Sequence, residues 1–341
     1  MNAPAAADYV ARAARPSDVA GFVQMKHLAG PGLTSLAGPD AAIEEYVAAS
    51  TRAFADPAPQ DAHYFLALEH VASGAIVGMA QVKAQIGVTK PFFNYRLLKI
   101  AQASSAAQRR FDLELLVLVN EYTGCTEIGS LFVRAEHRRA GIGRALARAR
   151  YMMMAAAPER FGARVVAELR GVVTADGASP FWEHLGRPFF QMSFEEADRL
   201  SATSDNQFIV DLMPKYPIYV SLLPEAARAV IGRAHEDGAG ARKLLEQEGF
   251  RYDGVVDVFD GGPVMTAPRE AIETVRSACR RLLRAEPLTA PAIGLVAQPR
   301  FEDFRCTAAA LEDAGGHVRA AWETFAALGL RDGDEALVCL P

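Results

Sequence analysis

The chain has 341 residues, half of them apolar and 23% charged, with a formal net charge of −5. That length exceeds the usual single domain of about 100–200 residues, so two packed lobes are expected, and the acidic balance argues against a nucleic-acid binder, which normally carries a basic excess. Cys125, Cys279, Cys306 and Cys339 share no zinc-ligand spacing, the N-terminus lacks a secretory core, and no apolar run nears the ~18 residues of a membrane span; reduced thiols, no metal, no membrane and a cytoplasmic location are expected.

Residues 9–14 are predicted as a strand. Arg15-Pro16-Ser17-Asp18 reads as a helix start, with Ser17 or Asp18 capping a helix through about residue 28. Two apolar runs between His63 and Val82, broken by Ala72-Ser73-Gly74, predict a hairpin. Strands at 113–119 and 126–133 follow. The second leads into the basic loop His137-Arg138-Arg139-Ala140-Gly141-Ile142-Gly143 and a helix with apolar residues at helical spacing. Residues 163–169 form a further strand, and Pro180 to Gly186 a short helix closed by a glycine C-cap. Helices over Glu225–His235 and 241–248 come next, then the turn Asp260-Gly261-Gly262-Pro263. The tail after Pro287 alternates weakly and ends in an edge strand at 335–340. The helix, glycine, aromatic-strand order of 241–252 echoes 180–190, a hint of duplication.

The strongest local signal is Arg138-x-x-Gly141-x-Gly143 between a strand and a helix. Glycines permit a turn whose backbone N–H groups converge, and the helix N-terminus adds partial positive charge, so the loop suits a pyrophosphate. A plain strand-to-helix turn is the competing reading. The pattern is neither a Walker A loop nor a dinucleotide fingerprint. His235, near a predicted helix end, reads from spacing alone as a cap residue held by the helix dipole. Arg138 to Arg150 reads as a solvated helix face with phosphate contacts, Tyr151 to Met154 as core, and His137 and His184 as surface or packing residues.

The loop resembles the coenzyme A loop of the GNAT superfamily of N-acyltransferases. Within it, Gly32-Leu33-Thr34-Ser35-Leu36, Phe93-Asn94-Tyr95-Arg96, Ala167-Glu168-Leu169-Arg170-Gly171, Ser179-Pro180-Phe181-Trp182, Met213-Pro214-Lys215 and Phe259-Asp260-Gly261-Gly262-Pro263 resemble the bacterial arginine N-succinyltransferase family. Pro31 departs from it, standing where a further glycine is expected. The resemblance implies a mixed α/β GNAT fold: an acyl-CoA-binding lobe over 9–195, a second, partly repeated lobe over 196–286 contributing the catalytic histidine, and a small β-containing extension over 287–341. It implies transfer of succinyl from succinyl-CoA, a co-substrate and not a resident cofactor, to the α-amine of L-arginine, the first step of succinyl-pathway arginine catabolism. Leu131, with Phe132 and Val133, would meet the thioester. Arg138, Arg139, Gly141 and Gly143 would hold the carrier, and His235 would donate the proton. A guanidinium suits Asp260 or Glu168, and a succinyl carboxylate suits Arg96, Arg170 or Lys215, though each is individually more at home in a structural ion pair. Another amine such as ornithine, an acetyl donor, and a non-catalytic acyl-CoA-binding subunit stay open, as does a homo- or hetero-oligomer with a paralogous chain.

Overall fold

The computed structural model describes residues 7–29, 36, 39–57, 61–138, 141–174 and 177–341, with the side chains of 202 and 203 excepted. Pro31, residues 32–35 of the first family-like island, and Arg139 lie outside the described residues. In chain order the elements are β1 (Tyr9–Ala13), α1 (Val19–Ala29), α2 (Ala41–Ala55), β2 (His63–His70), β3 (Ala75–Lys83), β4 (Asn94–Ser104), β5 (Arg109–Val119), β6 (Thr126–Val133), α3 (Ile142–Ala156) and β7 (Arg164–Glu168). Then come α4 (Arg187–Phe190), α5 (Phe194–Thr203), α6 (Gln207–Leu212), β8 (Ile218–Tyr219), α7 (Glu225–Arg228), α8 (Ala239–Gln247), β9 (Arg251–Asp257) and β10 (Pro263–Pro268). The last are α9 (Glu273–Ser277), β11 (Cys279–Arg284), β12 (Ala292–Ala297), β13 (Arg305–Asp313), β14 (Val318–Ala320), α10 (Trp322–Leu328) and β15 (Glu335–Cys339). No helix among the described residues is long and apolar enough to cross a membrane.

The chain forms two compact units that interleave, instead of following one another at the boundaries read from sequence. Unit 1 takes Met1–Ala84, Thr126–Ala163 and Pro268–Pro341, and unit 2 takes Gln85–Cys125 and Arg164–Ala267. In unit 1, strands run β13-β1-β2-β3-β6, all antiparallel. Residues 64–68 of β2 are buried on both faces, which is why that strand reads as a continuous apolar run. On one face α1 and α2 press Phe22, Met25, Ile43 and Val47 onto Phe65, Ala67 and Met79. Helix α3 is buried nearly all round, including Met152, Met153 and Met154, as an apolar helix in a core should be. Its basic face is solvated only in part: Arg144 is exposed, but Arg150 is 4% exposed and donates to the Ala147 carbonyl, and Arg148 donates to Thr274 Oγ1 and Cys339 Sγ.

The C-terminal segment also departs from the sequence reading. β15 is no edge strand, because it pairs with β11 on one side and β12 on the other. β12 reaches β13, β13 pairs β14, and β14 pairs β11 in parallel, so five strands close into a small barrel. Leu283, Val296, Leu311, Val318, Phe325 and Val338 fill it, and closure removes the free edges that an open tail would expose.

Unit 2 runs β7-β10-β9-β4-β5-β8. The long β4–β5 hairpin pairs from Asn94↔Val119 to Ser104↔Arg109, and its first half was not legible as a strand. Tyr95, Leu116, Trp182, Ile209, Val256 and Phe259 belong to one buried cluster there. Gly186 is not a C-cap. The helical segment runs on to Phe190 and stops at Gln191 (φ 52°), and a Cβ at Gly186 would overlap the Trp182 ring. Because residues 187–190 are helical where 251–257 are a strand, the echo between the two segments does not extend to matching structure. The helix from Glu225 ends at Arg228. Beyond it Gly232, at φ 70°, donates to the Gly261 carbonyl, so the helix does not resume before His235.

Candidate active site

In unit 1 the ladder between β3 and β6 carries an irregularity. Met79 opposes Phe132 and Gln81 opposes Gly129, so Ala80 faces both Ser130 and Leu131. Ser130 takes φ 49° and its hydroxyl donates to Gln81 Oε1 at 3.0 Å, both buried. This is a β-bulge: the extra residue drops out of the ladder and the strand turns, which frees main-chain groups at Leu131. Past Val133 the chain is tied back by Arg138, whose Nε donates to the Val133 carbonyl at 2.8 Å while the guanidinium lies over the Phe132 ring.

Helix α3 then starts from Gly141 at φ 94°, a conformation glycine adopts without steric cost. No side chain caps it and its first turn holds no acid. Ala145 N–H bonds the Gly141 carbonyl, so the N–H groups of Ile142, Gly143 and Arg144 have no intrahelical acceptor. A Cβ at Gly141 or Gly143 would meet nothing within 4 Å. An open helix start lined by free N–H groups is an anion site.

In unit 2 a second group of polar side chains gathers around the ends of β4, β7 and β9. Asn94, wholly buried, sits opposite Asp257 in the β4–β9 ladder. Its Nδ2 donates to Glu168 Oε1 at 3.0 Å, and its Oδ1 has no partner. Arg170 continues the chain from Glu168; its Nε is buried and unpartnered, and its carbonyl accepts the His235 N–H at 2.8 Å. His235 therefore does not close a helix. It stands in extended conformation before the short turn Glu236–Gly238 that opens α8, with Nδ1 accepting the Asp237 N–H at 3.2 Å. For a neutral ring that leaves the mobile proton on Nε2.

Asp260 anchors the same corner. Its two oxygens accept the N–H groups of Gly171 (2.7 Å) and Gly262 (2.8 Å), while Asp257 Oδ1 accepts those of Phe259 and Asp260. Burial, and then the charge of Asp257, hold the Asp260 carboxyl well above the usual range against those backbone donors. Asp198, half-buried on α5, lies in the field of Asp257 and Arg170. Burial first and Asp257 second push its carboxyl up to about 6, with Arg170 opposing.

The charged candidates thus separate. Arg96 is consumed by an ion pair to both oxygens of Glu121 and by contacts to Asp253. Asp260 is spent on its turn. Lys215 is exposed in the loop before β8. Glu168, Arg170 and His235 come together, and Asn94, Asp198 and Asp257 join them unforeseen. Asn94 stood inside a quoted island. The Ser193-x-x-Glu196 capping box marks the start of α5 but gives no sign of what Asp198 faces. Among the described residues, Leu131, Phe132, Val133, Arg138, Gly141 and Gly143 form the separate group of unit 1.

A family model described as "Arginine N-succinyltransferase beta subunit" matches residues 9–274. The arginine N-succinyltransferase of Enterobacter sp. (strain 638) is 38% identical over 300 residues, which cover 87% of each chain. That of Salmonella schwarzengrund (strain CVM19633) is 37% identical over 300 residues with the same coverage. A solved structure, that of the arginine/ornithine succinyltransferase subunit AI from Pseudomonas aeruginosa, matches at TM-score 0.87 and 29% identity, over 97% of this chain and 98% of that one.

Proposed function

The chain belongs to the arginine N-succinyltransferase family, and from that premise we propose that this acyltransferase moves the succinyl group of succinyl-CoA onto the α-amino group of L-arginine. The observation that carries the reading is the succession in unit 1 of a bulged strand, a glycine loop and an uncapped, open helix start. That succession suits a thioester carrier: the diphosphate would take the N–H groups of Ile142, Gly143 and Arg144, and the acyl end would run to Leu131, Phe132 and Val133.

The reaction makes a C–N bond and breaks a C–S bond. The amine attacks as the neutral species after losing a proton to water or a base. Charge collects on the carbonyl oxygen, where a main-chain N–H released at the bulge would stabilise it. Collapse expels the thiolate, which would take a proton from His235 in its imidazolium form, and the proton released by the amine restores the ring. Succinyl-CoA is consumed as a co-substrate, and the chemistry calls for no resident cofactor. The sequence reading of reduced thiols puts the reaction in the cytoplasm.

Incubating the purified protein with succinyl-CoA and an amino-acid mixture, and weighing the products, tests the proposal. Succinyl-arginine is expected as the main adduct, with ornithine the second acceptor to try, since the relative of known structure is named for both. In the same assay His235→Ala should lower turnover about 10²–10⁴-fold with coenzyme A affinity retained. Acetyl transfer alone, or no adduct, would overturn the assignment.

A further inference from the structure

The acidic and basic groups of unit 2 that have no structural partner carry a further inference, which rests on the acyl-transfer reading above. Buried polar atoms in folded proteins are nearly always paired, so orphans need an explanation. Here two in unit 2 have opposite character. Asn94 Oδ1 is an acceptor without a donor, on a side chain that is wholly buried. Arg170 Nε is a donor without an acceptor. The two residues are linked through Glu168, which accepts from Asn94 and lies two positions before Arg170 on the same strand end.

Asp198 completes the pattern. Asp260 and Asp257 accept backbone N–H groups, whereas Asp198, among the described residues, makes neither a hydrogen bond nor an ion pair. Its helix is fastened by the buried Ala197, in the same cluster as Trp182 and Val258, which leaves Asp198 half-buried. Leaving a carboxylate part-desolvated beside another, unpaired, is costly for the fold. A cation supplied from outside would offset the cost.

We propose that Asp198 selects the cationic side chain of the acceptor amino acid, that Asn94 Oδ1 supplies the neighbouring acceptor, and that Arg170 takes the acceptor's α-carboxylate. A guanidinium has five N–H donors for two such acceptors, and a guanidinium–carboxylate pair at the other end is bidentate. An α-amino acid with a positive side chain offers both charges. The main chain of Arg170 also fixes His235 through its carbonyl, which keeps acceptor recognition and the proton donor on one strand end.

Citrulline, the neutral isostere of arginine, separates charge recognition from shape. With succinyl-CoA, wild type should prefer arginine over citrulline in kcat/KM by roughly 10- to 100-fold, the scale of a charge-assisted hydrogen bond. Asp198→Asn should raise the arginine KM by a similar factor, move kcat much less, and collapse that preference. Asp198→Glu should recover part of it. Arg170→Lys should weaken both amino acids together. An unchanged arginine KM in Asp198→Asn, or an equal loss on arginine and citrulline, overturns the proposal. Calorimetric titration of free arginine onto wild type and Asp198→Asn decides the matter even if no acyl group is transferred. A silent wild type that binds arginine through Asp198 would sink the reaction assignment while keeping the recognition site.

Discussion

Asp260 and Asp198 are the same functional group put to different uses by what faces them. Asp260 gives each oxygen to a glycine N–H, and a side chain at Gly171 or Gly262 would collide with Asp260 or with the Leu169 carbonyl, so carboxylate and glycines form one interlocked turn. Asp198 has no such donors, and its carboxyl is pushed from an ordinary 3.8 to about 6 by burial and by Asp257, with Arg170 the opposing charge. A carboxyl whose folded value is raised favours the fold below its unfolded value, and that contribution is lost as pH rises through the folded one. Asp198→Asn abolishes the dependence. The variant should therefore be more stable than wild type above pH 7, by up to ~3 kcal/mol, with the advantage fading toward pH 4. Thermal melts of both proteins at pH 4.5 and pH 8 check this. A difference in melting temperature that is the same at both pH values would remove the desolvated charge from the account. A stabilising substitution that costs activity is what a recognition residue predicts.

At the scale of elements, the glycine loop works through backbone conformation, not through space. Gly141 sits at φ 94° with nothing within 4 Å of a notional Cβ, so a side chain would meet strain without a clash. Gly141→Val should cost about 1–2 kcal/mol of left-handed backbone strain. Relief of that strain would rotate the first-turn N–H groups of α3 away from their common focus. Coenzyme A affinity should then fall at least ~10-fold by calorimetry, with only a small loss in melting temperature. Full affinity in a folded Gly141→Val protein would show that the loop does not grip the carrier. This loop was legible because its glycines and flanking periodicities are local, and the same holds for β1, the β2–β3 hairpin, β6 and α3. The bulge at Ser130 was not read: Gly129 inside the strand hints at one, but its place is set by pairing with β3. Asp198 and Asp257 were invisible for a related reason: their proximity to Arg170 comes from packing between distant segments. The expected helix through His235 stops at Arg228, and the tertiary hydrogen bond from Gly232 to Gly261 keeps it from resuming.

At the scale of the molecule, unit 1 is assembled from three stretches of chain, and its last stretch reads in sequence like an appendage. Its contacts make it a structural wall. β13 covers the outer side of β1, with Ala11 opposite Cys306, and Ala13 N–H reaches the Phe304 carbonyl. Phe301 packs among Phe54, Tyr64 and Phe161 at centroid distances of 5.3, 5.1 and 6.1 Å. Arg148 of α3, the helix whose start is the proposed diphosphate site, donates to Cys339 of β15. Ending the chain at Glu286 would strip these partners at once. It would bare an unpaired strand edge on β1 and three aromatic rings, and leave a part-buried guanidinium short of an acceptor. Each loss is of order 1–3 kcal/mol, and their sum is comparable to the ~5–15 kcal/mol net stability of a typical protein. A chain of residues 1–286 should therefore accumulate as aggregate or as a proteolytically labile species without coenzyme A binding, although the family-like motifs all lie within it. Expression of that fragment beside the full chain, followed by limited proteolysis and calorimetry with coenzyme A, distinguishes the cases. A monomeric, protease-resistant fragment with undiminished affinity would mean that the barrel rides on unit 1 without supporting it.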